Sequence, residues 1–199
     1  MIAGQARKVG KTSLMTALLR ATRWLDWTAV KISTHEGSSL HEGGGAAGSQ
    51  EVIDRRFALA EEMHASPFTD TGRYLCAGAR RAFWLRAQPD GLRDGVAALL
   101  NVISTEHNVM IESASVMDVL KPTVSILVLD RRRRAVKPHF RRALTRADAV
   151  VENVPSGRRP DRFPPLPSLV QRFVVTRRDW YDKDLGRFVV QKLRRTRDS

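Results

Sequence analysis

The chain has 199 residues, a single cysteine and a formal net charge of +13. This length can bury a core without cross-links, and one thiol excludes an internally disulfide-stapled secreted scaffold. No apolar run approaches the roughly 18 residues of a membrane span, and the polar turn after Met1-Ile2-Ala3-Gly4 excludes a signal peptide, so a soluble cytoplasmic protein with no membrane partner is expected.

Residues 11–23 place Leu14, Leu18 and Leu19 at helical spacing and predict a helix. Residues 27–33 are rich in β-formers and predict a strand. Residues 34–50, with Gly43-Gly44-Gly45, read as a loop that is mobile or ordered by ligand. Residues 51–64 predict a helix, and Asp70 can cap another over 70–79. Residues 82–85 predict a strand, and 91–104 a helix with Val96, Leu99, Leu100 and Ile103 on one side. The apolar runs 108–112 and 124–129 suit strands buried on both faces of a parallel sheet. Residues 140–146 predict a helix, 149–153 a buried strand, 173–175 a strand and 182–195 an amphipathic helix. The five prolines within 155–168 make a linker or an extended wrap. Alternating strands and helices predict an α/β fold, three layers deep, with a mostly parallel central sheet.

The charge is uneven. Residues 1–130 hold 14 Lys/Arg and 14 Asp/Glu, whereas residues 131–199 hold 20 and 7. A neutral domain therefore carries a basic C-terminal third, densest at Arg131-Arg132-Arg133-Arg134 with Lys137, Arg141 and Arg142, and again at Lys192, Arg194, Arg195 and Arg197. Such a third is either a solvated surface or the seat of an anionic partner, a nucleic acid or an acidic protein.

The strongest motif opens the chain: Gly4-Gln5-Ala6-Arg7-Lys8-Val9-Gly10-Lys11-Thr12-Ser13. Gly10-Lys11-Thr12 is the closing half of a phosphate-binding P-loop, although the strict pattern would put its first glycine at position 5 rather than at Gly4. Gly10 lets backbone approach a phosphate, and the amides of the loop and first helical turn, with the helix dipole, favour an anion. Lys11 can reach the β- and γ-phosphates, and the Thr12 hydroxyl can ligate Mg²⁺. A chance Gly-Lys-Thr at a helix start is the alternative. Only three residues precede Gly4, so either the strand ahead of the loop is very short or the true start lies upstream; the second is the expectation.

The spacing from Gly4 to Gly10-Lys11-Thr12 resembles the loop of the dethiobiotin synthetase group of P-loop proteins. More of the chain, roughly residues 1–130, resembles the molybdopterin-guanine dinucleotide biosynthesis adapter (MobB) family: Ala29-Val30-Lys31-Ile32-Ser33-Thr34-His35, then Asp70-Thr71-Gly72-Arg73 leading into Ala77-Gly78-Ala79, then Val109-Met110-Ile111-Glu112-Ser113. The resemblance implies a P-loop NTPase fold, Mg²⁺ with GTP or ATP (GTP favoured), and an accessory role in molybdenum-cofactor maturation. The chain itself is expected to divide into a nucleotide-binding domain over 1–154 and a Pro-rich linker with a basic strand and helix, 155–199, packed on the same domain, the basic third having no counterpart in the resemblance.

Individual residues carry paired readings. Glu112 ends a buried strand and is either a Mg²⁺-shell or water-orienting carboxylate or an exposed strand end. Asp70 is a helix cap or, as the resemblance implies, a Mg²⁺ or substrate contact. Arg73 meets a phosphate or lies on a helix surface. Lys31, at a strand C-terminus, faces the usual ligand crevice as an anion contact. Asn153 reads a nucleotide base or serves a turn beside Pro155. Arg7 or Lys8 is the nearest candidate for an in-loop cation on the leaving phosphates. His35 and His41, with Glu36 and Glu42, match no zinc spacing. Cys76 reads as a buried structural thiol, and Trp24, Trp27 and Trp84 as core rather than a stacking platform.

The expected site is thus Gly4, Arg7, Lys8, Val9, Gly10, Lys11, Thr12 and Ser13, joined by Lys31, Arg73 and Asn153, with Lys11 and Glu112 catalytic and Thr12, Glu112 and Asp70 around Mg²⁺. A homodimer is compatible with this reading. Two other functions stay open: an ATP-dependent ligase of the dethiobiotin synthetase type, and a P-loop module that docks on nucleic acid or an acidic protein through its basic third.

Overall fold

The computed structural model describes residues 1–34, 51–106, 108–113, 115–130, 132, 138–154, 170–176 and 178–197. Thr34, expected to open a loop, is the last residue of a strand; the rest of that loop, 35–50 with His35 and His41, most of the arginine cluster at 131–134 and the proline-rich stretch lie outside the described residues. In chain order the elements are β1 (Ile2–Gly4), α1 (Lys11–Ala21), β2 (Thr28–Thr34), β3 (Glu51–Ile53), β4 (Phe57–Glu61), α2 (Asp70–Cys76), β5 (Arg81–Ala87), α3 (Leu92–Val102), β6 (Val109–Glu112), β7 (Ile126–Asp130), α4 (Pro138–Leu144), β8 (Ala149–Val154), β9 (Gln171–Thr176) and α5 (Lys183–Arg197). The chain forms two compact units, Met1–Ala21 with Lys121–Ser199, and Thr22–Leu120.

In the first unit β1, β7, β8 and β9 pair in that order, all parallel. The short β1 is extended at both ends by backbone bonds, from the Ile126 amide to the Met1 carbonyl at 2.9 Å and from the Gln5 amide to the Val128 carbonyl at 3.1 Å. All of β7 and nearly all of β8 are buried, which is why both read as continuous apolar runs rather than alternating ones. Helix α1 buries Leu14, Met15, Leu18 and Leu19, and α5 buries Leu185 and Val189. Phe173 of β9 meets Phe188 of α5 with ring centroids 5.6 Å apart. Glu152, buried within β8, is answered across the ladder by the Arg172 guanidinium at 2.8 Å.

In the second unit the order is β3-β4-β5-β2-β6. β2 pairs with β5 and β6 in parallel, while β3-β4 and β4-β5 are antiparallel. Across the described pairings of both units five are parallel and two antiparallel, so the fold is α/β with mostly parallel strands, as the sequence predicts.

The helix expected over 51–64 is instead the β3-β4 hairpin. Its turn is closed by the Asp54 amide bonding the Phe57 carbonyl at 2.8 Å and by the Arg56 amide bonding Asp54 Oδ1 at 2.9 Å. Phe57, Ala58, Leu59 and Ala60 are all buried. Registration of β4 on β5, Leu59 opposite Leu85, supplies burial that outweighs the helix preference of Ala, Leu and Glu. Helix α2 also begins differently: Thr69, not Asp70, is its cap, accepting from the Gly72 amide at 3.0 Å. Cys76 is exposed rather than buried, because α2 buries Thr71, Gly72 and Tyr74. Trp27 is core, but Trp24 is 58% exposed and Trp84 half-buried.

A polar tether fixes α5. Lys192 Nζ donates to Asp148 Oδ1 at 2.9 Å, and the amide and hydroxyl of Ser125 donate to Asp148 Oδ2 at 2.8 and 2.9 Å. Burial alone would raise the Asp148 pKa, but the Lys192 and Ser125 hydrogen bonds outweigh it and hold the carboxyl below its usual range. A carboxylate with a lowered folded pKa contributes stability above its unfolded value, lost as pH falls through the folded one. Asp148→Asn is therefore expected to cost about 1 kcal/mol at neutral pH. The gap from wild type should narrow below about pH 4. Urea midpoints at pH 7 and pH 3 measure this, and an equal loss at both would contradict it.

Candidate functional site

The first unit brings one end of its parallel strands to a single loop. The chain leaves β1 at Gly4, crosses to Gly10 and enters α1, whose first turn opens with the Leu14 amide bonding the Gly10 carbonyl at 2.9 Å. Both glycines are required by their neighbours. A Cβ at Gly4 would lie 2.7 Å from Val9 Cγ2 and 2.9 Å from Lys11 Cγ, so the returning loop and the Lys11 stem fold directly over Gly4. Gly10 has φ of 108° and its open face lies against the indole of Trp180, where a Cβ would stand 1.7 Å from Cη2. Lys8 also takes a left-handed φ of 59°.

Polar side chains from the neighbouring strand ends brace this loop. Gln5, fully buried, accepts the Asp130 amide at 3.2 Å. Asp130 in turn accepts the Arg132 backbone and Nε groups at 3.1 and 2.8 Å. Asn153, at the end of β8, donates through Nδ2 to the Val9 carbonyl at 3.4 Å. Position 5, where the strict pattern has glycine, is thus taken by a side chain that ties β1 to the end of β7. Arg7 and Lys8 are exposed, Val9 is buried, and Gly10, Lys11, Thr12 and Ser13 are half-buried.

This loop suits an anion. Three cations, Arg7, Lys8 and Lys11, stand within it or on the first helical turn, and that turn contains no acidic residue. The first amides of an α-helix have no intrahelical acceptor and the helix dipole points its positive end at them. The Thr12 hydroxyl is a hard oxygen donor of the kind Mg²⁺ takes together with phosphate oxygens. Among the described residues no three His, Cys, Asp or Glu side chains gather into a protein-only metal cage.

The second unit brings together Lys31, Asp70, Arg73 and Glu112. Lys31 on β2 pairs with Asp70 on α2, and Arg73 Nη1 lies 3.7 Å from Asp70 Oδ1. Lys31 stands opposite Trp84 on one side and Glu112 on the other. Its ammonium lies 5.3 Å from the centre of the Trp84 ring, which also carries the Arg86 guanidinium at 4.8 Å. Glu112 is buried and accepts the Tyr74 hydroxyl, so it is no exposed strand end. Glu62, whose carboxylate accepts the Thr69 and Thr71 hydroxyls at 3.1 and 3.0 Å, holds the start of α2 in place.

Sequence reasoning did not single out Asp130, Glu62, Arg86 or Trp180. Asp130 ends an apolar run much as Glu112 does, and that was a usable signal. Trp180 carries none, since it meets Gly10 only through the fold. Gly10→Ala is expected to cost roughly 1–3 kcal/mol for the positive φ alone, with the clash on Trp180 in addition. Gly78, with φ of 97° and its nearest neighbour for a Cβ at 3.5 Å, is the control that carries the backbone strain without the clash. Thermal melting should therefore rank Gly10→Ala below Gly78→Ala, and the reverse order would refute the packing argument.

No family model matches the chain, and no curated protein matches it. Among solved structures, HypB from Helicobacter pylori in complex with nickel is similar at 12% identity and a TM-score of 0.49, over 98% of this chain and 87% of that one. LpxK from Aquifex aeolicus in complex with ATP is similar at 15% identity and a TM-score of 0.41, over 87% of this chain and 52% of that one. At such scores neither likeness bears on function.

Proposed function

We propose that this protein binds a nucleoside triphosphate with Mg²⁺ at Gly4–Ser13 and hydrolyses it slowly. The observation that carries the reading is the path of the chain from β1 to α1. It folds tightly over Gly4, turns through a left-handed Gly10, and presents a helix start with Lys11 and Thr12 on its first turn. Loop amides and Lys11 neutralise phosphate charge, and Thr12 holds the metal, which when bound offsets charge on the β- and γ-phosphate oxygens. In hydrolysis, water adds to the γ-phosphorus as the bond to the bridging oxygen breaks. Nucleoside diphosphate and inorganic phosphate leave. Asn153, already bonded to Val9, is the candidate for contact with the nucleoside.

The finer assignments rest on the resemblance stated above. Guanine is favoured as the base, and the role is an accessory one in molybdenum-cofactor maturation. The resemblance gives Asp70 to the metal shell; Glu112 joins it as an acid at a buried strand end, and Lys31, at a strand C-terminus, and Arg73 are assigned to anion contacts. Glu112 can keep its Tyr74 hydrogen bond on one oxygen and act through the other.

Lys11→Ala should weaken Mg²⁺-GTP and Mg²⁺-ATP binding by at least about a hundredfold, which is about 2.7 kcal/mol, while the ligand-free protein melts as wild type does. Calorimetry showing unchanged affinity would sink the proposal. Glu112→Gln should keep nucleotide affinity within a few-fold and slow phosphate release by about tenfold or more. Unaltered turnover in that variant would remove Glu112 from the mechanism.

A further inference from the structure

We infer that Trp180 is a positioning residue of the phosphate loop: its indole rests on Gly10 and fixes the left-handed turn from which the loop amides take their direction. This rests on the proposed nucleotide site and deepens it.

The contact is direct. Space on the Gly10 face is filled by Cη2, Cζ2 and Cζ3 of the ring, which would stand 1.7, 2.4 and 2.6 Å from a Cβ there. The chain on either side of Trp180 is also braced. Ahead of it, the Thr176 amide bonds the Asp179 carbonyl at 3.0 Å, and the Asp179 amide bonds the Thr176 hydroxyl at 3.1 Å. Behind it, the Tyr181 amide bonds Asp179 Oδ1 at 2.9 Å. Asp182 Oδ1 then caps α5 by accepting the Asp184 and Leu185 amides at 2.8 and 3.0 Å. Leu185 is fully buried and anchors that helix start. Trp180 therefore stands between residues whose backbone is fixed by hydrogen bonds on either side.

Glycine is the residue that loses most conformational freedom on ordering, and Gly10 sits where ligand binding needs that order beforehand. The preceding residue, Val9, is held through its carbonyl by Asn153. Val9 and Gly10 are thus restrained together, one by the end of β8 and the other by the segment after β9. A ligand arriving at a clamped loop does not have to order it.

The test compares Trp180→Ala, Trp180→Phe and wild type against Mg²⁺-GTP, Mg²⁺-ATP and Mg²⁺-tripolyphosphate, which has no base. Releasing one residue's backbone corresponds to about a tenfold loss of affinity. The expected result is that Trp180→Ala weakens all three ligands by this same factor and that Trp180→Phe restores most of it. Amide hydrogen exchange at residues 9–12 of the ligand-free alanine variant should quicken in parallel. A loss confined to the nucleotides, with tripolyphosphate unaffected, would overturn the inference in favour of a ring that stacks on the base. Equal or tighter binding of all three would overturn it too, marking the ring as inert or as a cover. If Trp180→Ala does not fold, Trp180→Leu carries the same comparison, because it keeps an apolar contact but not the flat face. A wild-type protein that binds none of the three fails the nucleotide reading itself, and this inference with it.

Discussion

Parallel pairing of β1, β7 and β8 is the constraint on which the first unit depends. Parallel strands finish at the same edge, so the chain must leave each of them there, and every departure exposes polar backbone that needs a partner. Here the departures satisfy one another. Gln5, just past β1, takes the amide at the end of β7; Asn153, within the last residues of β8, donates to the carbonyl of Val9. The loop between β1 and α1 is consequently held by the ends of β7 and β8 and not by its own six residues alone.

Burial gives these contacts their weight. Gln5, Asp130 and Asn153 are each almost wholly enclosed. An enclosed amide or carboxylate without a partner costs about 1–3 kcal/mol, so these side chains specify geometry more than they add stability. The same logic operates in the second unit at Glu62, Glu112 and Asp70, where each carboxylate meets a hydroxyl or a cation from a neighbouring element. In the first unit Gln5, Asp130 and Asn153 all lie near the C-terminal ends of their strands, β1, β7 and β8.

Local features were legible in the sequence. Helix α1, strands β2, β5, β6, β7 and β8, and the glycine-lysine-threonine turn all announce themselves through spacing within a few residues. What failed depended on partners far along the chain. Residues 57–60 have helical composition and become a strand because β5 offers them an edge. Cys76 looked buried because its neighbours are apolar, but a helix of seven residues has one buried stripe, and Tyr74 holds it. Trp24 is aromatic and yet exposed, since the core position nearby is filled by Trp27, whose indole nitrogen is satisfied by Thr22. Trp180 was invisible for the converse reason: its partner is a glycine, which leaves no apolar mark in a sequence.

The left-handed backbone at Lys8 bears on how such loops are recognised. Between Gly4 and Gly10 the chain carries one residue more than the strict spacing allows. A lysine at φ of 59° takes a local curl that a fixed-length pattern does not anticipate. The two ends are nevertheless anchored, one under the side chains of Val9 and Lys11, the other under an indole. Loops of this kind are better sought by the restraints at their ends than by counting the residues between them, and drift in length within a lineage need not signal loss of the site.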